Sequence, residues 1–269
     1  MSLKRIMLLS QFELTRLFAT KRGWLALAAF IMVWLMILRY PIYHSVSVLN
    51  SPEFSDIAVQ IAGSVGLYSL ARWPEAELSV YWIIALFSFP VFTLFVSADQ
   101  TVEDSKRGTL RFLTLRATRS EIMLGRFAGQ ALILLALILA SALATWVLML
   151  TRDTALAFSG LGKLTSIIAF LVLTTLPFIA LMSLLNLLAS SARLSIIYAS
   201  LLFTVGNLLI GYLVSHIELA DWLYYLLPGV HISSIAPWYN IDWHAIVIPL
   251  LQSLALLSAA YWLMKRKDL

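Results

Sequence analysis

The 269-residue chain is 61% hydrophobic and only 12% charged, with a mean hydropathy of +0.89. A soluble domain of this length needs far more charged surface, so composition excludes one and fits a polytopic membrane protein. With no cysteine there is no disulfide framework and no thiolate metal site, and the net charge of +5 depends on where the basic residues fall.

Residues 2–22 are amphipathic. Leu3, Ile6, Met7, Leu14, Leu17 and Phe18 share one helical face, with Lys4, Gln11 and Thr15 roughly opposite, although Leu8 and Phe12 blur the pattern. The spacing predicts an N-terminal helix lying in the membrane interface, with Lys4, Arg5, Arg16, Lys21 and Arg22 at the lipid head groups. A plain basic anchor ahead of a span is the simpler alternative.

Six apolar runs follow, at roughly 23–40, 78–98, 127–150, 164–188, 194–214 and 244–264. A hydrocarbon core about 30 Å thick takes about 20 helical residues to cross, so each run predicts a span. Arg39 alone is charged within these limits, and it sits at the end of its run, where it can snorkel. The first run ends in Arg39-Tyr40-Pro41 without a small-residue cleavage pattern, so it reads as a retained span rather than a signal peptide. No linker divides the chain, which reads as one membrane domain over 1–269.

The basic residues choose sides. Five precede span one; Lys106, Arg107, Arg111, Arg116, Arg119 and Arg126 lie between spans two and three. Arg193 lies between spans four and five, and Lys265, Arg266 and Lys267 follow span six. Only Arg39, Arg72, Arg152 and Lys163 fall on the opposite side. By the positive-inside rule both termini are cytoplasmic in the inner membrane, and an even number of spans puts them on the same side. The pI near 9.5 is thus a topology signal, and no nucleic-acid partner is implied.

In the first outer loop, 41–77, Ser51-Pro52-Glu53 is a good helix start, and Phe54, Ile57, Ala58, Ile61, Ala62 and Val65 then recur at helical spacing. The stretch 98–126 is the most charged. Asp99 with Glu103, and Glu103 with Arg107, stand at i,i+4 spacing and predict a short helix, with Leu110, Leu113 and Leu115 as a small apolar side. Thr118-Arg119-Ser120-Glu121 fits a capping box that restarts a helix into span three.

Gly125 and Gly129 form one G-x-x-x-G, whose expected use is packing within the chain. Pro90, Pro177 and Pro249 are placed to kink spans two, four and six. Asn186, Asn207 and Gln252 are neutral polar groups inside spans, available either to interhelical hydrogen bonds or to a transport path. The outer segment 215–243 is rich in Trp and Tyr, as an interfacial belt is, and Pro228-Gly229 predicts a helix that dips back or lies flat before turning.

Several chemistries are missing from the pattern. Gly160-Leu161-Gly162-Lys163 lacks the spacing and the following Ser or Thr of a phosphate loop, and no hydrolase or metalloprotease motif is present. His216, His231 and His244, with Glu218, Asp221 and Asp242, have no metal-ligand spacing and read as interfacial residues. No catalytic residue, metal site or cofactor is therefore assigned to this chain.

The segment Glu103-Asp104-Ser105-Lys106-Arg107-Gly108-Thr109-Leu110, followed by Leu113, Arg116, Ser120, Glu121, Ile122 and Gly125-Arg126, carries a resemblance. It resembles the stretch after span two in ABC-2-type permeases, the membrane subunits of ABC exporters, although Ala117 stands at the family's corner proline. The likeness covers essentially the whole chain. It implies an all-α integral membrane fold of six transmembrane helices, with an N-terminal interfacial helix and a cytoplasmic coupling helix after span two. It also implies that Asp99, Glu103, Asp104, Arg107, Gly108, Thr109, Leu110, Leu113 and Arg116 couple the chain to a separate cytoplasmic ATPase. That partner would bind ATP and Mg, and a second permease copy or a paralogue would complete the export path through the lipid. The same resemblance leaves open a permease that passes mechanical work to a periplasmic partner. An ion-coupled carrier or intramembrane enzyme is the third reading, and the uncharged span interiors argue against it.

Overall fold

The computed structural model describes residues 2–49, 73–102, 104, 108–230, 232–236, 238 and 243–266, which are predominantly helical and contain no strand. The helix start at Ser51 and its apolar row, together with Glu103, Lys106, Arg107, His231, Asp242 and Lys267, lie outside the described residues. So do the side chains of Arg22 and Leu110.

Helix α1 (Leu3–Ala19) meets α2 (Lys21–Ile37) at an extended Thr20, whose side chain caps α2 by accepting from the Gly23 N–H at 3.1 Å. A Cβ on Gly23 would stand 1.8 Å from the Leu17 carbonyl oxygen, so only glycine permits this elbow. Pro41 then forces α2 into a π-helical end, Leu38–Ile42. Its ring has no N–H and crowds the preceding turn, and the Tyr43 N–H reaches back five residues to Leu38 at 3.0 Å.

After α3 (Ser45–Leu49) come α4 (Ala76–Val96), α5 (Thr109–Thr114), α6 (Arg119–Arg152), α7 (Ala157–Leu188) and α8 (Ala192–His216). A 3-10 stretch, Glu218–Leu226, and short α9 (Ile232–Ile235) lead to α10 (His244–Arg266). Six of these helices are long and apolar enough to cross a membrane, matching the six runs in the sequence. Pro90, Pro177 and Pro249 lie inside α4, α7 and α10, and none of the three helices is interrupted.

Central α7 packs against α4, α6 and α10. In its most apolar stretch 61% is buried, against 17% in α2 and α8, which therefore stand at the periphery. Helix α2 leans on α4 through aromatic contacts, with ring centroids of Trp34 and Phe89 at 5.4 Å and of Phe30 and Phe92 at 5.1 Å. Helix α8 leans on α7 through stacked Phe178 and Phe203, 5.8 Å apart.

At the end of the bundle away from the chain termini, basic residues meet acids. Arg152 clasps Glu77 (Nη2 to Oε2, 2.9 Å), and Lys163 pairs with buried Glu75 while standing 4.4 Å over the Trp73 ring. Two of the four basic residues that break the side rule are thereby neutralised. Trp238, held at φ 64, gathers Trp73, Trp82 and Phe170 edge-on, and the Trp82 N–H donates to the Ala236 carbonyl at 3.0 Å. The break at Pro228-Gly229 dips back: Tyr224 reaches Gly211 of α8, Leu227 reaches Gly206, and Gly229 turns at φ 99 against Phe178.

Burial raises the pKa of Glu75, but hydrogen bonds from Lys163 and Ser159 outweigh it and hold the carboxyl below its ordinary value of 4.5. A depressed carboxylate stabilises the fold above its unfolded pKa and loses that contribution as pH falls through its folded pKa. Melting temperature is therefore expected to drop on acidification below about pH 4.5, and Glu75→Gln to show a smaller drop. Identical acid profiles for the two proteins would show that the pair is idle.

Candidate functional site

Both termini lie at one end of the bundle, and α1 is built into it. It runs beside the first turns of α6 in the same direction: the Ser2 N–H donates to Glu121 Oε1 at 2.6 Å, and Arg5 stands 3.5 Å from Glu121. The Gly125–Gly129 pair makes the contact possible. A Cβ on Gly125 would stand 2.5 Å from the Leu9 Cβ, and one on Gly129 would stand 2.7 Å from the Glu13 Cβ. The motif thus packs within the chain, as its sequence suggested.

The face of α1 that meets α6 differs from the apolar face read from spacing. Its buried residues are Ser10 and Glu13, while Leu3, Met7, Leu8, Phe12 and Phe18 are exposed and Leu14 and Leu17 pack inward. Side-chain-free Gly125 and Gly129 let the backbones close in, which leaves room for small Ser10, and Arg126 supplies a countercharge for Glu13. Burial pushes the Glu13 pKa up from its ordinary value, against the pull of Arg126 and Arg16.

Two ion pairs tie this helix pair to the segment after span two. Arg16 reaches Asp99 at 3.3 Å and Glu13 at 3.8 Å, and nearly buried Arg126 pairs with Asp104. Burial alone would raise the Asp104 pKa, but the charge and hydrogen bond of Arg126 keep it below the ordinary value. The Thr109 hydroxyl adds a hydrogen bond to Asp104 Oδ1 at 3.1 Å. Arg16, which the sequence placed in the N-terminal helix, and Asp99 and Asp104, which it placed in the segment after span two, therefore form one cluster with Arg126.

Gly108 starts α5 in the left-handed region at φ 69, a conformation that side chains resist. Leu113 turns inward against the cluster of Ile122, Met123 and Met264, whereas Phe112 and Leu115 are 71% and 82% exposed. Arg116, Lys4 and Lys21 are exposed. Thr118 forms the expected capping box with Glu121: its N–H donates to Glu121 Oε2 at 2.9 Å, and its hydroxyl accepts from the Glu121 N–H at 3.3 Å. Arg119 donates to the Met264 and Lys265 carbonyls, both at 2.7 Å, and so caps the end of α10. Sequence reading missed this tie, because its partners are far apart in the chain.

Of the three polar candidates in the spans, two bond to other elements. Asn186 donates to the Ser97 carbonyl at 2.8 Å and binds α7 to the end of α4. Gln252 donates to the carbonyls of Tyr225 and Leu227, at 2.8 and 3.1 Å, and anchors the dipping segment. Asn207 instead lies exposed on α8, its amide turned to its own Phe203 carbonyl. His216 bonds the Tyr212 carbonyl and His244 stacks on Trp243, and no cluster of three or more His, Asp or Glu among the described residues is placed to hold a metal.

No curated protein matches this chain. Residues 9–269 match the model of the family described as ABC-2 family transporter protein. With six helices able to span a membrane and nearly its whole length matched, the chain belongs to the ABC-2 family as a multi-pass permease subunit.

Proposed function

We propose that this permease is the membrane half of an ATP-driven exporter, one membrane domain in the inner membrane with both termini cytoplasmic. Its energy comes from a separate ATPase docked on α5 and the exposed side of α1. The observation that carries this reading is the tie joining α1, Asp99 after α4, Asp104 and the start of α6 through Arg16 and Arg126. A push on α5 passes through the Thr118 cap into α6, through Arg16–Asp99 to the end of α4, and through the Gly23 elbow into α2. The substrate path lies between two permeases.

A second copy or a paralogue is favoured by α8. Ser200, Thr204, Asn207 and Ser215 fall at helical spacing and are exposed. Polar groups on a span are costly against hydrocarbon and are satisfied against another helix or a wet path. In this cysteine-free chain, Asn207→Cys is expected to give a crosslinked pair with a short bifunctional thiol reagent in native membranes. Leu132→Cys, exposed on α6, should stay single. A crosslink from Leu132→Cys alone would overturn the pairing through α8.

A further inference from the structure

We propose that the cleft between the α1–α2 elbow, the end of α4 and the start of α8 binds the head group of an anionic glycerophospholipid. The cavity has a volume of about 1150 Å³, slightly above the range of about 300–1,000 Å³ typical of small-molecule sites. Leu17, Phe95, Val96, Ile133 and Ile196 give it apolar walls, and it opens where two spans begin, at residues 21–26 and 191–196. An acyl chain suits such walls and a head group suits their rim.

Charge selects the lipid. The three acids lining the cleft, Glu13, Asp99 and Asp104, already face Arg16 or Arg126. Lys21 and Arg193 also line it, both exposed and neither with an acid partner among the described residues. Four cations, Arg16, Arg126, Lys21 and Arg193, thus stand against three acids, and the formal excess of +1 lies with the last two and is open to a phosphate. Arg193 stands in the first turn of α8, behind the Ser191 cap, where the positive end of the helix dipole adds to the attraction. Gln130 also lines the cleft; it is 5% exposed, and its Oε1 has no partner among the described residues. A juxtamembrane pair of basic residues beside an apolar slot is what an anionic lipid recognises. The inference rests on reading the six helices as spans and needs neither transport nor the ATPase.

The test is native mass spectrometry of the purified full-length chain, titrated with phosphatidylglycerol, with phosphatidylcholine of the same acyl chains, and with inorganic phosphate. One retained phosphatidylglycerol per chain is expected, preferred over phosphatidylcholine by about tenfold or more. Lys21→Gln with Arg193→Gln should bring that ratio close to one, while Lys4→Gln, exposed elsewhere on α1, should leave it intact. Ala26→Trp, which fills the apolar wall, should weaken both lipids alike. Both glutamine substitutions are at exposed positions, so helical content should not change, and circular dichroism checks that. Equal binding of the two lipids to the unaltered chain would overturn the proposal. So would a preference that survives the double substitution, or inorganic phosphate binding as well as phosphatidylglycerol.

Discussion

Phe112→Asp combined with Leu115→Asp is expected to cut the ATPase retained on the purified permease at least tenfold while leaving membrane insertion unchanged. Both side chains are exposed, so the substitutions remove no packing from the described fold. Surface charge pairs are worth about 0–1 kcal/mol each, so reversing Glu103 and Arg107 should act weakly. Apolar and aromatic anchors at an interface commonly carry about 2 kcal/mol or more apiece, and two of them account for the larger effect. Leu113→Asp is a contrasting variant. It buries a charge against Ile122 and Met264, and should lower the yield of folded protein rather than uncouple it. Undiminished ATPase retention by the Phe112/Leu115 double variant would show that α5 is a solvated loop.

Gly129→Leu is expected to separate α1 from α6 and to lower coupled transport at least tenfold. The new side chain would begin 2.7 Å from the Glu13 Cβ and 3.2 Å from the Ser10 carbonyl oxygen, so the helix itself must move. Overpacking of this kind costs about 1–3 kcal/mol and would detach Arg16 from Asp99 with it. Amide hydrogen exchange across residues 3–19 should speed up by about tenfold or more, since a helix of this length is marginal in water once its tertiary contact is lost. Gly162→Leu, where a Cβ meets nothing within 4 Å, should change neither measurement. Slow exchange in α1 of Gly129→Leu would remove the clamp from the account.

The spans were legible because hydropathy depends on composition alone, and each of the six runs became a helix. Their ends were less so. Hydropathy marked only 127–150 of span three, whereas the helix is Arg119–Arg152, about 50 Å at 1.5 Å per residue. Its charged first turns project beyond an apolar core of about 30 Å, and the capping box rather than hydropathy marked their start. The capping box at Thr118 was readable because all its parts lie within four residues. The pairs Arg16–Asp99, Glu77–Arg152 and Glu75–Lys163 were not, since their partners are 75 to 88 residues apart and only the packed helices bring them together. Helical spacing marked the apolar side of α1, but a glycine pair on α6 decided which side it buries. In the same way, periodicity could not separate Asn207 from Asn186 and Gln252, because exposure to a neighbour is a property of the bundle.

The most direct test of energy entering at α5 is photocrosslinking in native membranes from single positions at the two ends of the bundle. A photoreactive residue at Leu115 is expected to capture the ATPase, and one at Phe158, 90% exposed at the opposite end, to capture none. Capture from Phe158, or its absence from both Leu115 and Phe112, would contradict both the orientation and the docking site.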